Sequence, residues 1–223
     1  MQNRLIFAAG VAALGSIASA DVAISTFTFS DLNSEYFTQD GVTGYFTARA
    51  GGDTSGDVTR VNMPVAQTAE YSPAFANDDA SLADVVFEMS VSNITALSAD
   101  ASGSFTITDV DGDTIGGNLD GTWLRATAGA PILFFNGTLT GVAFTASGDG
   151  MFEGTDGAGF EFTPFLLGNL FSGGVVQVSF GLDTFFNQSF AGFNSQFSGT
   201  IVPTPGAAAL LLGAGGVYIR RRR

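Results

Sequence analysis

The densest set of possible ligands in this sequence is Asp109-Val110-Asp111-Gly112-Asp113, followed by Asp120. Counting Asp109 as first, acids stand at positions one, three, five and twelve. Carboxylates are hard oxygen donors, and that spacing is how a twelve-residue loop surrounds calcium. Three features depart from such a loop. Gly112 stands fourth where the sharp turn needs a sixth-position glycine, which here is Thr114. Asp120 is shorter than the bidentate Glu that closes the loop. The flanks, 105–108 and 114–125, alternate like strands where helices are needed. The same residues also read as a β-hairpin whose two-residue turn is Asp111-Gly112. Two readings stand side by side: a bare hairpin, or a hairpin with weak calcium binding at Asp109, Asp111, Asp113 and Asp120.

Other chemistries have less to select them. Two carboxylates could hydrolyse a glycoside. With 21 acidic residues some pair always falls at a suitable distance, so no pair is singled out. Asp78-Asp79 and Glu153 with Asp156 read as solvated loop residues. Tyr36, Tyr45, Tyr71 and Trp123 are aromatic surfaces that could stack on sugars or pack in a core. Histidine and cysteine are absent. That removes the usual general base, the usual zinc ligands, the Ser/His triad and any disulfide framework. Asn93, Asn136 and Asn187 head chance matches to the glycosylation sequon. No catalytic residue is assigned, and the chain reads as non-enzymatic.

The elements that must position these side chains follow from composition. Thirty glycines and 22 phenylalanines in 223 residues suit short strands, tight turns and aromatic packing between sheets. Glycine costs a helix about 1 kcal/mol relative to alanine. Val85, Phe87, Met89 and Val91 alternate with polar neighbours, as do Phe105 and Ile107. Ile115, Leu119 and Trp123 share one face, and Val176, Val178, Phe180 and Leu182 another. Residues 22–29 and 134–145 also read as strands. Gly51-Gly52, Asp111-Gly112, Ser147-Gly148 and Gly173 mark turns. Residues 50–58 read as a Gly/Asp-rich loop. A helical turn near Asn187 followed by a strand over 193–201 is preferred in the last part. The expected fold is all-β, an antiparallel sandwich (jelly-roll-like) or barrel.

Charge sets the partners. Every acid lies between Asp21 and Asp183, whereas Arg49, Arg60 and Arg125 are the only cations between Asp21 and Ile201. Three arginines against 21 acids leave this body at −18. Such a surface repels phosphate backbones, which argues against nucleic acid, and draws cations.

Both ends carry address signals. Residues 1–20 have a basic start at Arg4, an apolar run and Ala18-Ser19-Ala20 before Asp21, the order of a secretory signal with its cleavage site. Residues 202–223 (VPTPGAAALLLGAGGVYIRRRR) carry Pro203 and Pro205, then 14 uncharged residues, then Arg220, Arg221, Arg222 and Arg223. As a helix that run reaches about 21 Å, short of a hydrocarbon core of roughly 30 Å. Terminal arginines would stay cytoplasmic, leaving the body outside.

Val202-Pro203-Thr204-Pro205-Gly206, the short apolar run and the arginine cluster together resemble the PEP-CTERM sorting signal of Gram-negative bacteria. The resemblance covers about the last 22 residues, with Thr204 standing where the family pattern has Glu. It implies a membrane-embedded exosortase that reads the Pro-x-Pro motif and processes the tail. It further implies transient retention at the inner membrane after export, then delivery to the cell surface or an exopolysaccharide matrix. The expectation is therefore three segments: a signal peptide at 1–20, a β-rich extracellular domain at 21–201 and a sorting tail at 202–223. The expected function is that of a surface- or matrix-associated structural or interaction protein. The alternatives are a carbohydrate-binding module, calcium-assisted or not, and a two-carboxylate glycosidase. A plain uncut anchor is the alternative for the tail.

Overall fold

The computed structural model describes residues 23–78, 80–130, 132–163, 166–168, 171–172, 175–181 and 185–203. The expected signal helix with Ala18, Ala20 and Asp21 lies outside the described residues. So does the tail from Thr204 onward, with Pro205, Gly206 and the four terminal arginines. Among the described residues no helix is long and apolar enough to cross a membrane.

The described chain is all-β. Its strands are β1 (Ser25–Thr38), β2 (Gly44–Arg49), β3 (Ser55–Arg60), β4 (Gln67–Tyr71), β5 (Asp84–Ser92), β6 (Ser98–Thr108), β7 (Thr114–Arg125), β8 (Ile132–Thr145), β9 (Met151–Glu153), β10 (Gly159–Glu161), β11 (Phe171–Ser172), β12 (Val175–Gly181) and β13 (Phe190–Pro203). One 3-10 turn covers Phe75–Asn77. Eleven strands form one sheet in the order β11-β13-β12-β8-β7-β6-β5-β2-β1-β3-β4, and β9 with β10 makes a separate hairpin. The sheet curls, because β13 pairs with β1 as well as with β12. Neighbours such as β5, β6, β7 and β8 are successive in the chain, so short antiparallel connections build most of the sheet.

Alternation puts one face of each strand into the core. Val85, Phe87, Met89 and Val91 are buried as expected, as are Phe105, Ile107, Ile115, Leu119 and Trp123. In β1 the buried set changes parity, from Phe27 and Phe29 to Leu32, Ser34 and Tyr36. The cause is a bulge at Asp31, whose φ is 58°, where the pairing with β13 skips between Phe29 and Leu32. That bulge lets β1 run on to Thr38, well past the expected 22–29.

Two expectations are corrected. Residues 50–58 are not all loop: β3 begins at Ser55, because it pairs with β1 on one edge and β4 on the other and buries Val58 completely. Long-range pairing overrides local Gly/Asp composition here. The last strand starts at Phe190, directly after the turn at 186–188, and runs through Val202 and Pro203. These two residues, assigned to the tail by sequence, lie opposite Ser172 and Phe171 of β11. Proline offers no N–H to a ladder, so Pro203 is a natural last strand residue.

Aromatic rings fill the core in several groups, among them a central stack of Phe27, Phe87, Phe105 and Phe197. Toward the β1–β2 turn, Trp123 packs against Phe46, Phe186 and Phe135 with ring centroids 5.1, 5.2 and 5.4 Å apart. Toward the β6–β7 turn, Phe144 meets Phe162 and Phe171 edge-on at 5.4 and 5.7 Å, and Phe152 stacks on Phe160 at 5.4 Å. Each such buried ring contributes roughly 1.5–3 kcal/mol by removal from water.

Candidate functional site

The β6–β7 connection is wider than a two-residue turn. Thr108 pairs with Thr114, and the Asp109 N–H donates to the Asp113 carbonyl at 2.9 Å, so 109–113 form a five-residue loop. The Asp109 side chain explains this. Its Oδ1 accepts the backbone N–H groups of Asp111, Gly112 and Asp113 at 3.1, 2.8 and 2.8 Å. Gly112, at φ 105°, takes a left-handed conformation that side chains resist. The loop is wrapped around a carboxylate, so the expected two-residue turn is replaced.

The same cluster reaches across the fold. Asp109 Oδ2 accepts the Glu153 N–H of β9 at 3.0 Å. Asp113 Oδ1 accepts the Ser147 and Gly148 N–H groups at 2.5 and 2.6 Å, and its Oδ2 accepts that of Gly150 at 2.9 Å. Asp111 Oδ2 accepts the Asp149 N–H at 2.9 Å. Asp109 and Asp113 are fully buried, and Asp111 is half-buried. Three aspartates thus receive eight backbone N–H bonds from three segments that the sequence separates by up to 44 residues. They staple the 146–150 loop and β9 onto the β6–β7 turn.

Burial pushes the Asp109 carboxyl up to about 7, against the lowering pull of the Glu153 N–H, and the hydrogen bond with Asp111 pushes the same way. Burial also acts upward on Asp111, but the hydrogen bond with Asp109 and the Asp149 N–H hold it below the ordinary carboxylate value. Asp111 Oδ1 is buried and receives no N–H or hydroxyl.

Of the four residues that the calcium spacing selected, Asp109, Asp111 and Asp113 place carboxylate oxygens within 4.8 Å of one another. Asp120 is not among them. It is exposed on β7 opposite Ser102 and Thr138, seven residues beyond Asp113, which is about 23 Å along a strand. A helix-flanked loop would fold position twelve back to position one, whereas a strand carries it away. Five of the six oxygens in the remaining trio already accept N–H groups, leaving Asp111 Oδ1 alone without one. Calcium takes six to eight oxygens, so this donor set does not fit a calcium cage.

The aromatic candidates divide sharply. Trp123, Tyr36 and Tyr71 are 0 to 2% exposed and belong to the core. Tyr45 is 43% exposed, and Phe37, which sequence reasoning missed, is 61% exposed directly opposite it on β1. Knowing that β1 is bulged at Asp31 would have found Phe37, because the shifted parity turns it outward. Phe37 and Tyr45 border a groove of 380 Å³ together with Glu35, Thr47, Ser189 and Ala191. Of the acids set aside as solvated, Asp78 and Asp156 are exposed and Glu153 half-buried; Asp79 lies outside the described residues.

Comparison of the chain with family models, with curated proteins and with solved structures returned no match.

Proposed function

We propose that this chain is an exported, non-enzymatic protein of the cell surface or extracellular matrix, sorted by its C-terminal Pro-x-Pro, apolar and arginine tail. The observation that carries the non-enzymatic part is the state of the acidic cluster. The buried carboxylates that could serve as acid, base or ligand are occupied by eight backbone N–H groups and act as staples. A glycosidase reading would need a pair of carboxylates open to a sugar, and this cluster does not offer one. Export and sorting rest on the two terminal signals and on the −18 charge of the body, which suits an extracellular, solvated surface. The partners on this reading are the export machinery, an exosortase-like processing enzyme, the inner membrane during transit and the matrix polysaccharide. The curled sheet serves as a carrier of loops and of one exposed face.

The test is to recover the mature protein from its native host and map both termini by mass spectrometry. The expected chain begins at Asp21 and lacks Arg220, Arg221, Arg222 and Arg223. A surface form that keeps all four arginines would make the tail a plain anchor, and one that keeps Met1 would remove the export reading. Replacing Pro203 and Pro205 with Ala should block maturation.

A carbohydrate-binding reading is favoured by a separate observation, the groove beside Phe37 and Tyr45. It is compatible with a matrix protein and needs no calcium.

A further inference from the structure

The outer face of the β13–β1–β2 sheet carries side chains in register. Phe37 stands opposite Tyr45, and Glu35 stands opposite Thr47 on one side and Ala191 on the other. Directly opposed side chains lie about 5 Å apart, so the two exposed rings form one continuous apolar patch. Ala191 and Ser189 line the groove beside these residues, together with Tyr36 and Phe190. Its volume of 380 Å³ falls within the range of small-ligand sites.

The charges of this face are unequal. Glu88 is neutralised by Arg49 at 2.7 Å. Glu35 is exposed, accepts only the Thr47 hydroxyl at 3.1 Å, and has no ion pair among the described residues. An uncompensated carboxylate next to two aromatic faces is a pair of features that each stabilise an organic cation. The −18 body adds a long-range field of the same preference and repels acidic ligands.

Backbone pairing narrows the ligand further. Along the groove β1 is bonded to β13 and β2, and β2 to β1 and β5. No strand edge is open there, so a peptide has no ladder to join, which is the common route for extended segments. Recognition must come from side chains alone: two exposed rings, one carboxylate, and the Thr47 and Ser189 hydroxyl oxygens as acceptors, since Thr47 donates its proton to Glu35 and Ser189 donates its own to the Thr38 carbonyl. A pyranose offers a C–H face to rings and hydroxyls to hydroxyls.

We infer that this groove binds an amine-bearing sugar polymer, with a pyranose face on Phe37 and Tyr45 and its ammonium on Glu35. This deepens the matrix reading by naming the chemistry of the partner, and it rests on that reading for its biological setting.

The experiment is calorimetric titration of the full-length chain at 150 mM salt, where the field of the body is screened over about 8 Å. The probes are a glucosamine hexamer, its fully N-acetylated form, a neutral glucose hexamer and a lysine pentamer. The glucosamine hexamer is expected to bind, with the N-acetylated and neutral hexamers weaker by about tenfold or more, the loss of one charge-assisted contact. Glu35→Gln keeps the Thr47 hydrogen bond and should bring the glucosamine hexamer down to the neutral one. Phe37→Ala and Tyr45→Ala should each weaken every sugar by about fivefold to tenfold through lost stacking. All three positions are on the surface, and unchanged melting temperatures check that the variants fold. No binding of the glucosamine hexamer overturns the inference. So does equal binding by all variants, which leaves only the general field. Binding of the lysine pentamer at least as tightly, with the same variant losses, overturns it in favour of a basic peptide. Terminal mapping is independent of these titrations, so failure of the groove and failure of the export reading are distinguishable.

Discussion

At the β6–β7 end of the sheet, Asp109 accepts four backbone N–H groups and is fully buried. At the β1–β2 end, Asp40 accepts two, from Val42 and Thr43 at 2.9 and 2.8 Å, and is exposed. Both carboxylates wrap a turn around themselves. Their acidities move in opposite directions. The Thr43 and Val42 N–H groups pull Asp40 below its ordinary value, while burial pushes Asp109 up to about 7 despite twice as many N–H partners. Donor count alone does not set the acidity of a carboxylate; the water it has lost decides the sign. The two ends also differ in reach. Asp40 binds within its own turn, whereas Asp109 and Asp113 bind residues 34 to 44 positions away. The same residue type is thus a local turn former at one end and a tertiary staple at the other.

The largest expected effect comes from cutting that staple. Asp113→Ala leaves three N–H groups, of Ser147, Gly148 and Gly150, without their acceptor. A fully buried stranded donor costs about 1–3 kcal/mol; Ser147 and Gly148 are exposed and Gly150 half-buried, which puts each of these donors at the low end, about 1 kcal/mol. A total near 3 kcal/mol lowers the melting temperature by about 6–12 °C for a domain of this size. Asp40→Ala, tested beside it by the same thermal melt, should cost far less, because solvent replaces its lost acceptor. Equal losses would erase the distinction between the ends. Next in size is Gly44→Ala at the β1–β2 end. A Cβ there would stand 2.2 Å from the buried Tyr36 hydroxyl and 2.5 Å from the Phe37 carbonyl. Backbone cannot yield as a side-chain tip can, so this overpacking should cost about 1–3 kcal/mol, read as a lower denaturant midpoint with an unchanged slope.

The pH dependence sharpens the comparison further. The native Asp109 holds a proton that the unfolded chain releases near pH 4. Between that point and about pH 7 the native state binds more protons, so stability should fall as pH rises and then level off. Asp40 acts with the opposite sign: its lowered pKa contributes stability above its unfolded value, and that contribution is lost as the solution is made more acidic. Melting temperatures from pH 5 to pH 8 should therefore decline in the parent chain. The slope should flatten in Asp109→Asn, which has no proton to lose, and persist in Asp40→Asn.

Much of the scaffold was legible because alternation survives wherever one face is buried. The positions from Val85 to Val91 and from Ile115 to Trp123 were readable for that reason. Reading failed where a single residue breaks the period. The bulge at Asp31 hides the second half of β1, and with it the outward turn of Phe37 and the buried Ser34–Ser195 hydroxyl pair at 2.6 Å. It failed again where pairing partners supply the order, as in β3. At the acidic cluster, spacing correctly brought Asp109, Asp111 and Asp113 together, because five residues of one tight loop cannot separate far. Their partners in 147–153 were invisible, since backbone N–H groups leave no mark in residue identity. Asp120 was misplaced because a linear spacing was read as a loop where the chain runs on as a strand.

The smallest expected effect is therefore at Asp120, and it separates a field from a site. The body at −18 attracts any divalent cation, so a weak calcium response alone has no residue assignment. Asp120 is exposed, and Asp120→Asn removes a solvated charge without touching the staple. Its melting temperature should match the parent within the equivalent of about 0.5 kcal/mol, with or without calcium. Asp111→Asn is the informative partner. Asp111 carries the one cluster oxygen that accepts no N–H, the atom through which a cation would have to enter. With five oxygens engaged, calcium and magnesium at 150 mM salt should shift the parent, Asp120→Asn and Asp111→Asn equally, by a small amount that further salt removes. A calcium shift that exceeds the magnesium shift, resists salt and disappears in Asp111→Asn would mean that the cluster opens to the ion and exchanges N–H donors for metal. A calcium shift lost in Asp120→Asn would require β7 to leave the sheet.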